Sequence, residues 1–382
     1  MNVATQTQTE SAIRSEIGKI GPISADSHVT EPPTMYIDYI DPKFRDSAPR
    51  GTTHDGGDVY TVAGFEPINM GLVASAGLSP EDMGRKYNRY ADFPAGWDPK
   101  ARIKAQDKDG VTGEILYPTV GMIVYGIEDG ALLNACANAY NRWIAEYVGE
   151  VPKRLWGIGQ TAVRSVEEAI ADVHWMKELG LKGVYLPAVP MTEEDYDHPS
   201  FDALWRTCTE LEMPICFHVF TGSRKYRTAI RGAAINLWNG VMRQNQDLIG
   251  LFIFGGLFDR HPDLQLVCVE ADAGWAPHFL HRMDHIYTRH ATWQKAPHLE
   301  KMPSEYFLEH VYLTFQDDWV AFKTIDMMNP KRLMWANDFP HADSTWPNSM
   351  QLLETHTTCL TPAARRAVLR DNVVELFKLE TS

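Results

Sequence analysis

The chain has 382 residues, of which 44% are hydrophobic and 23% are charged, and its formal net charge is -14 at pH 7. These values are ordinary for a globular protein with a large core. The negative charge disfavours nucleic acids and anionic membrane surfaces as partners, because both repel an acidic protein.

The first residues predict neither export nor a membrane anchor. Residues 1–20 are polar and lack the apolar segment of a signal peptide, and no run of 18 apolar residues predicts a membrane span. We therefore expect a polar N-terminal tail, or alternatively a short helix that packs on a neighbour, on a cytoplasmic protein. The cysteines have no CxxC spacing, which argues against disulfides and against a cysteine-built zinc site. They are Cys136, Cys208, Cys216, Cys268 and Cys359.

The first predicted strand, Pro22 to Asp26, leads directly into Ser27 and His28. Residues two apart in a strand point the same way, so Asp26 and His28 can face one point. A carboxylate and an imidazole aimed together suit a divalent metal. By itself this pattern is weak, because a histidine at a strand end is often satisfied by a hydrogen bond.

Residues 30–99 form a long irregular section, rich in Pro, Gly, Asp and Tyr, without enough apolar residues for a core of its own. The sequence Asp55-Gly56-Gly57-Asp58, followed by the run 59–62, predicts a small hairpin inside it. We interpret 30–99 as an insertion rather than a domain.

From residue 98 onward, short apolar strands alternate with helices. Short strands that are apolar on both faces are typical of a parallel sheet covered by helices. With the first strand, the predicted strands are 113–118, 156–160, 183–186, 215–218, 264–270, 311–314 and 332–336. Eight such units predict an α/β fold, a (β/α)8 TIM barrel.

This barrel would be a single domain over residues 21–382, with extra C-terminal helices and with the 30–99 insertion covering its mouth or an interface. A doubly wound open sheet is the alternative. No G-x-G-x-x-G or Walker A pattern occurs, so no nucleotide cofactor is expected.

Polar residues stand at the carboxyl ends of several predicted strands, where a TIM barrel carries its active site. Asp26, His28, His218 and Asp338 supply two carboxylates and two imidazoles. Such a set can hold Zn²⁺, Mn²⁺ or Fe²⁺ and leave room for water.

These residues resemble the amidohydrolase-related metal-dependent barrel enzymes, in the branch of aminocarboxymuconate semialdehyde decarboxylase and the resorcylate-type decarboxylases. The motifs that carry the resemblance are Asp26-Ser27-His28, Glu31-Pro32, Tyr117-Pro118, His218, residues 258–264 and Asn337-Asp338-Phe339-Pro340-His341. The resemblance implies that Asp26, His28, His218 and Asp338 bind the metal and that Asp338 also transfers a proton. It also implies a homo-oligomer, a dimer or larger.

Two positions differ from the family pattern. The opening motif is Asp26-x-His28 rather than His-x-His or Glu-x-His, and Glu270 stands where the decarboxylases carry a histidine. A carboxylate at this position would repel a substrate carboxylate.

We therefore predict a hydrolase in which a metal-activated water displaces an amine, an amide or another anion from a small aromatic or heteroaromatic substrate. Its catalytic residues would be Asp338, Glu270 and His218, and Zn²⁺ is the expected ion, with Mn²⁺ or Fe²⁺ as alternatives. Non-oxidative decarboxylation of an aromatic or muconate-type acid is the first alternative. A catalytically silent binding barrel is the second.

Aromatic side chains at or near the predicted strand ends favour a small flat substrate. The candidates are Trp97, Tyr117, Phe220, Trp275, Phe315, Phe339 and Trp346, with His341 as a further substrate contact. Arg224 and Arg227 follow His218 and could bind an anion, although a solvated loop is the simpler interpretation.

Overall fold

The computed structural model describes residues 3–83, 89–221 and 232–381. Its strands, in chain order, are β1 (Ile23–Val29), β2 (Arg50–His54), β3 (Gly57–Thr61), β4 (Ile68–Asn69), β5 (Gly113–Pro118), β6 (Leu155–Gly157), β7 (Gly159–Gln160), β8 (Val184–Tyr185), β9 (Ile215–His218), β10 (Leu266–Val269), β11 (Val311–Phe315) and β12 (Leu333–Trp335).

The barrel strands are parallel and follow one another around the centre of the molecule. One sheet has the order β1-β5-β6 and the next runs from β7 through β8, β9, β10 and β11 to β12. β6 and β7 are two halves of one bent strand, because the N–H of Ile158 donates to Leu116 and the N–H of Gly159 donates to Gly183. Counted in this way, eight parallel strands of the described part of the chain surround the core.

The last strand returns to the first. The N–H of Asp338 donates to the carbonyl of Asp26 at 3.0 Å, and the N–H of His28 donates to the carbonyl of Phe339 at 2.7 Å. These two hydrogen bonds join β1 to the segment that follows β12. The α/β TIM-barrel fold predicted from the strand pattern is confirmed.

Helices cover the outside of the strands. They are Val3–Ile20, Met35–Tyr39, Met70–Val73, Pro99–Asp109, Val120–Val124, Gly130–Gly149, Val166–Glu178, Asp202–Glu210, Met242–Phe254, Leu257–Arg260, Ala276–Gln294, Pro303–His310, Trp319–Lys323, Ser349–His356, Pro362–Arg366 and Asn372–Leu376. A π-helical turn, Ala367–Asp371, joins the last two. The predicted C-terminal helices are therefore present.

The N-terminal segment is a packed helix rather than a polar tail. Ile13, Ile17 and Ile20 are buried, at spacings of four and three residues that place them on one face of the helix. This face packs on the helix Ser349–His356. Glu16 also accepts a 2.7 Å hydrogen bond from Arg365. A stripe of three isoleucines therefore packs this helix on the rest of the protein, although the segment is polar on average.

The insertion carries the predicted hairpin and contacts the end of the barrel that follows β12. β2, β3 and β4 form an antiparallel sheet. The N–H groups of Ser75 and Ala76 both donate to the carbonyl of Pro340 at 3.0 Å. The ring of Phe93 lies 5.4 Å from the ring of Phe339. Residues of the insertion thus pack beside Asp338, and a role of 30–99 in a subunit interface stays a prediction.

The expectations about membrane spans and cysteines can be compared with the described residues. In those ranges no helix is both long and apolar enough to cross a membrane. All five cysteines carry free thiols; four are buried, and Cys359 is exposed.

Candidate metal centre

The carboxyl end of β1 presents Asp26 and His28 to the barrel interior. All seven residues of β1 are buried, and both of these side chains are fully buried. The Nδ1 atom of His28 lies 3.0 Å from the carbonyl oxygen of Pro118, at the end of the neighbouring β5. An Nδ1–H that donates to this carbonyl leaves the Nε2 lone pair of His28 facing inward, as a metal ligand requires.

His218, the last residue of β9, is held in the same way. Its Nδ1 atom lies 3.0 Å from the carbonyl oxygen of Val219. Its Nε2 atom lies 3.0 Å from Nε2 of His28. Two lone pairs at this distance repel each other unless a proton or a cation lies between them. The pair of imidazoles therefore fits a bound metal ion.

Two carboxylates complete the set. Oδ1 of Asp26 lies 3.5 Å from Nε2 of His28 and 3.6 Å from Nε2 of His218, and Oδ1 of Asp338 lies 3.5 Å from Nε2 of His28. Within the described residues, no hydrogen bond reaches either oxygen of Asp26 or of Asp338, although both side chains are fully buried. Buried carboxylates without partners are costly, and a divalent cation would satisfy them. These four residues, predicted as ligands, lie together and fit a metal ion.

The pKa shifts in the metal-free chain follow from burial and from the neighbouring charges. Burial and the neighbouring His341 lower the pKa of His28 to about 3, so this imidazole is neutral. Burial would also lower the pKa of His218, but Asp26 and Glu270 outweigh it and raise the pKa. Burial would raise the pKa of Asp26, but the two imidazoles hold it below its usual range. A metal ion that binds here would compete with protons for these side chains.

Glu270 and His341 lie on the side of the cluster that reaches solvent. Oε2 of Glu270 lies 3.5 Å from Nε2 of His218, and its side chain is 10% exposed. Nδ1 of His341 lies 3.2 Å from Oδ1 of Asp338, and its side chain is 13% exposed. The four predicted ligands are fully buried, so among these six residues only Glu270 and His341 are in contact with solvent.

The backbone at two of these positions is strained. Glu270 and Asp338 have φ angles of 55° and 50°, in the left-handed region that residues with a side chain seldom adopt. Glu270 directly follows β10 and Asp338 is the third residue after β12, so both positive φ angles lie in turns at the carboxyl ends of barrel strands. Strain of this kind is concentrated at functional sites.

Arg102, which was not among the residues predicted for the site, links the segment after β12 to β1. This fully buried side chain donates from Nη1 to the carbonyl of His28 at 2.6 Å and from Nη2 to the carbonyl of Phe339 at 3.1 Å. Its Nε atom donates to the buried carboxylate of Glu114 at 2.5 Å. Arg102 thereby positions the backbone beside one ligand on β1 and beside Asp338.

A signal for Arg102 was present in the sequence. Arg102, Gln106 and Asp109 lie four and three residues apart on the helix Pro99–Asp109, and all three are buried. A helix that carries three polar residues on one face at helical spacing must bury them if that face packs on the barrel.

Only some of the residues predicted to contact the substrate lie near the predicted metal ligands. The Tyr117 ring lies 6.2 Å from the His28 ring and 5.6 Å from the His218 ring, and the His341 ring stacks on His28 at 3.9 Å. Tyr185, which the prediction did not include, lies 6.0 Å from the His218 ring. These rings form the wall nearest to the ligands.

The other aromatic candidates have partners away from the ligands in the described residues. Trp97 stacks on Tyr90, Trp275 packs on Phe279 and Phe307, Trp346 packs on Phe93 and Phe339, Phe220 contacts Trp238, and Phe315 packs on Phe322. Their role in substrate binding stays a prediction. Arg224 and Arg227 lie outside the described residues.

A family model and known proteins match this chain. The amidohydrolase model Amidohydro_2 matches residues 26–379. A 2-amino-3-carboxymuconate-6-semialdehyde decarboxylase of Dictyostelium discoideum is 26% identical over 255 residues, which cover 64% of this chain and 67% of that protein. These matches agree with the resemblance carried by the motifs.

Two solved structures share the fold. An amidohydrolase of Mycobacterium avium subsp. paratuberculosis K-10 superposes with a TM-score of 0.74 at 19% identity, covering 93% of this chain and 98% of that one. A dihydroxybenzoic acid decarboxylase of Polaromonas sp. JS666, solved with manganese and the inhibitor 2-nitroresorcinol, superposes with a TM-score of 0.64 at 19% identity, covering 95% and 98%. At these identities the likeness establishes the fold alone.

Proposed function

This chain belongs to the amidohydrolase family, and from that premise we propose that it is a metal-dependent decarboxylase of a small aromatic or muconate-type acid. The observation that carries the proposal is the buried set of two imidazoles and two unpaired carboxylates at the carboxyl end of the barrel. The reaction of the Dictyostelium relative and that of the Polaromonas structure support decarboxylation over the hydrolysis expected from sequence. Manganese in the latter makes Mn²⁺ a better first choice than Zn²⁺.

Different residues of the chain would carry out different parts of this reaction. Asp26, His28, His218 and Asp338 would hold a divalent ion, which would supply Lewis-acid stabilisation of the negative charge that develops on the substrate. In the metal-free chain, burial and the carboxylates of Asp26 and Asp343 raise the pKa of Asp338 well above its usual range, and Asp338 is our candidate for the group that delivers a proton. That proton moves to the carbon that carries the carboxylate. The bond to the carboxylate then breaks, its electron pair stays with the carbon, and CO₂ leaves.

The charge of Glu270, which led us to expect hydrolysis from the sequence, is compatible with an acidic substrate. Burial and the nearby Asp338 raise the pKa of Glu270 well above its usual range. A bare carboxylate is therefore disfavoured at this position, and binding of a proton or a cation by Glu270 is favoured. Either state removes the negative charge that would repel a substrate carboxylate.

Hydrolysis remains a second candidate because of the position of the same residue. Oε2 of Glu270 lies 3.5 Å from Nε2 of His218, at the solvent side of the cluster. A carboxylate there could take a proton from a water molecule and pass it to a leaving group.

Product analysis distinguishes the two reactions. The purified chain, stripped with a chelator and reloaded with Mn²⁺, is incubated with dihydroxybenzoic acids, with 2-amino-3-carboxymuconate semialdehyde and with aromatic amides. We expect CO₂ from at least one acid and no ammonia from the amides. Ammonia without CO₂ would identify the hydrolase, and release of neither product would overturn the proposed function.

Matched variants test the role of the cluster. His28→Ala should abolish CO₂ release together with metal binding, and Asp338→Asn should lower turnover by about 10²–10⁴-fold through loss of the acid. His174→Ala is the control, because His174 lies exposed on the helix Val166–Glu178. Full activity of His28→Ala would contradict the assignment of the site.

A further inference from the structure

We propose that the outer face of the helix Ala276–Gln294 binds one transition-metal ion, Cu²⁺, Ni²⁺ or Zn²⁺, through His281 and His285. Both side chains are exposed, and their ring centroids lie 6.1 Å apart. Residues four apart are neighbours on one face of a helix, and two histidines at this spacing can bind one zinc ion together. This pair shares no residue with the cluster at the carboxyl end of the barrel.

The packing of the helix decides which of its faces meets solvent. Its buried residues are Ala276, Leu280 and Met283, which lie four and three residues apart on one side. His281 and His285 lie on the opposite side and are therefore held out in solvent. An ion dissolved in the solvent can reach both imidazoles without any movement of the core.

Hydrogen bonds hold the helix in place around the pair. The carboxylate of Asp284 accepts from the N–H of Ser304 at 2.8 Å and from its hydroxyl at 2.7 Å. The hydroxyl oxygen of Tyr287 accepts from the N–H of Leu299 at 2.8 Å. Because the backbone on either side of these contacts is fixed, binding has to order only the two histidine side chains, which limits its entropic cost.

The separation of the two rings suits one shared ion after a small rotation. Imidazole nitrogens lie about 2.0–2.1 Å from zinc, so two rings bound at a tetrahedral angle have centroids about 5 Å apart. The observed 6.1 Å is closed by rotation of exposed side chains between allowed rotamers. Within the described residues neither histidine has a hydrogen bond or an ion pair to lose. His278, one turn earlier, is also exposed but makes no ring contact with His281 in these residues.

The chemistry of the pair selects the class of ion. Imidazole nitrogen suits copper, nickel and zinc, whereas magnesium, calcium and manganese prefer oxygen ligands. Arg282 and Arg289 are exposed on the same helix and have no ion-pair partner in the described part of the chain. Their charge opposes any cation held by electrostatic attraction alone. An ion that forms strong bonds to nitrogen is therefore favoured over one that does not.

Retention on a nickel chelate resin tests the site, because an immobilised ion reaches only exposed side chains. The full chain without an affinity tag is loaded at pH 7.5 and eluted with an imidazole gradient. We expect the wild type to be retained, and His281→Gln and His285→Gln each to elute at a lower imidazole concentration. The control is His174→Gln, because His174 is exposed on the helix Val166–Glu178 and has no histidine three or four residues away. It should elute with the wild type.

Counting of bound Cu²⁺ supplies a second measurement in solution. Loss of one of two linked ligands should weaken binding by about 100-fold, because the second contact of the pair is intramolecular. At saturation His281→Gln should therefore bind one Cu²⁺ fewer per chain than the wild type, however many ions the buried centre holds, and His174→Gln should bind the same number as the wild type. A wild type that is not retained, or equal elution and equal copper counts in the wild type, His281→Gln and His285→Gln, would overturn the inference. Neither result bears on the proposed function, whose ligands are buried.

Discussion

Replacing Arg102 with methionine is expected to destabilise the chain and to weaken metal binding through two separable effects. The guanidinium is fully buried and joins three elements that sequence places far apart. It pairs with Glu114 on β5 and donates to the carbonyls of His28 and Phe339. Methionine fills much of the same space but donates no hydrogen bond, so the carboxylate of Glu114 loses its counter-charge.

The magnitude follows from the burial of the pair. The Arg102 and Glu114 side chains are 0% and 1% exposed, with Nε and Oε2 at 2.5 Å. Removing one partner of such a pair costs about 3–5 kcal/mol, because the other is left as an uncompensated buried charge. Glu114 keeps only the 2.7 Å hydrogen bond from Gln106 among its described side-chain partners. Metal affinity should fall by about 10–100-fold, as for other residues that position metal ligands.

Urea unfolding of the metal-free chain, followed by tryptophan fluorescence, measures the first effect, and Mn²⁺ titration measures the second. The double variant Arg102→Met/Glu114→Gln separates them. It should regain stability, because the unpaired charge is gone, yet keep the weak metal binding, because the carbonyls of His28 and Phe339 still lack their donor.

The matched control is Arg366→Met, whose exposed pair with Asp371 should contribute about 0–1 kcal/mol. A loss below about 1 kcal/mol in Arg102→Met would refute the energetic argument. Metal affinity that recovers with stability in the double variant would refute the positioning role.

Three further outcomes are expected. Burial raises the pKa of Glu31 from 4.5 to about 7, although the N–H groups of Val120 and Gly121 oppose this shift. The stability that Glu31 contributes is therefore complete below about pH 4.5 and is lost as the pH rises through about 7. Glu31→Gln should remove about 3 kcal/mol of that decline, seen as the difference in urea stability between pH 5 and pH 8; equal declines in both proteins would count against it. Ile17→Ala should cost about 2–5 kcal/mol because the side chain is fully buried, whereas Ile235→Ala, at an exposed position, should change stability by less than about 0.5 kcal/mol. Adding Mn²⁺ at about 100 times its Kd should stabilise the metal-free chain by about 2.7 kcal/mol, and an unchanged melting temperature would contradict a folded-state metal site.

Much of the fold was predictable because its signals are local. Each barrel strand is a short apolar run, and strands such as 113–118 and 215–218 were predicted at their observed bounds. Helix ends also have local causes: the Asp98 side chain accepts from the N–H groups of Lys100 and Ala101 at the start of one helix, and Gly110 ends it with a φ of 77°. The N-terminal helix was underestimated because its three-isoleucine stripe gains stability only from the surface on which it packs.

The candidate site divides in the same way. The proposed metal ligands could be named from sequence because they lie within or shortly after the carboxyl ends of β strands, and parallel strands end at one edge. The sequence could not tell which aromatic candidates lie near the site. A ring near a strand end can turn inward, as Tyr117 does, or pack in the helix layer, as Trp275 does. Which of these happens depends on neighbours that are distant in the chain.

By itself, then, the sequence determined that eight short apolar strands alternate with helices. It also placed two carboxylates and two imidazoles near the strand ends and indicated the family. Only the tertiary structure decided how these groups meet: two Nε2 atoms at 3.0 Å, a buried Arg102 behind them, and Glu270 beside His218 rather than free in solvent. The physical reason is that strand patterns arise from neighbours along the chain. Burial, charge compensation and the protonation of Glu270 depend on what the fold brings together and on the water it removes.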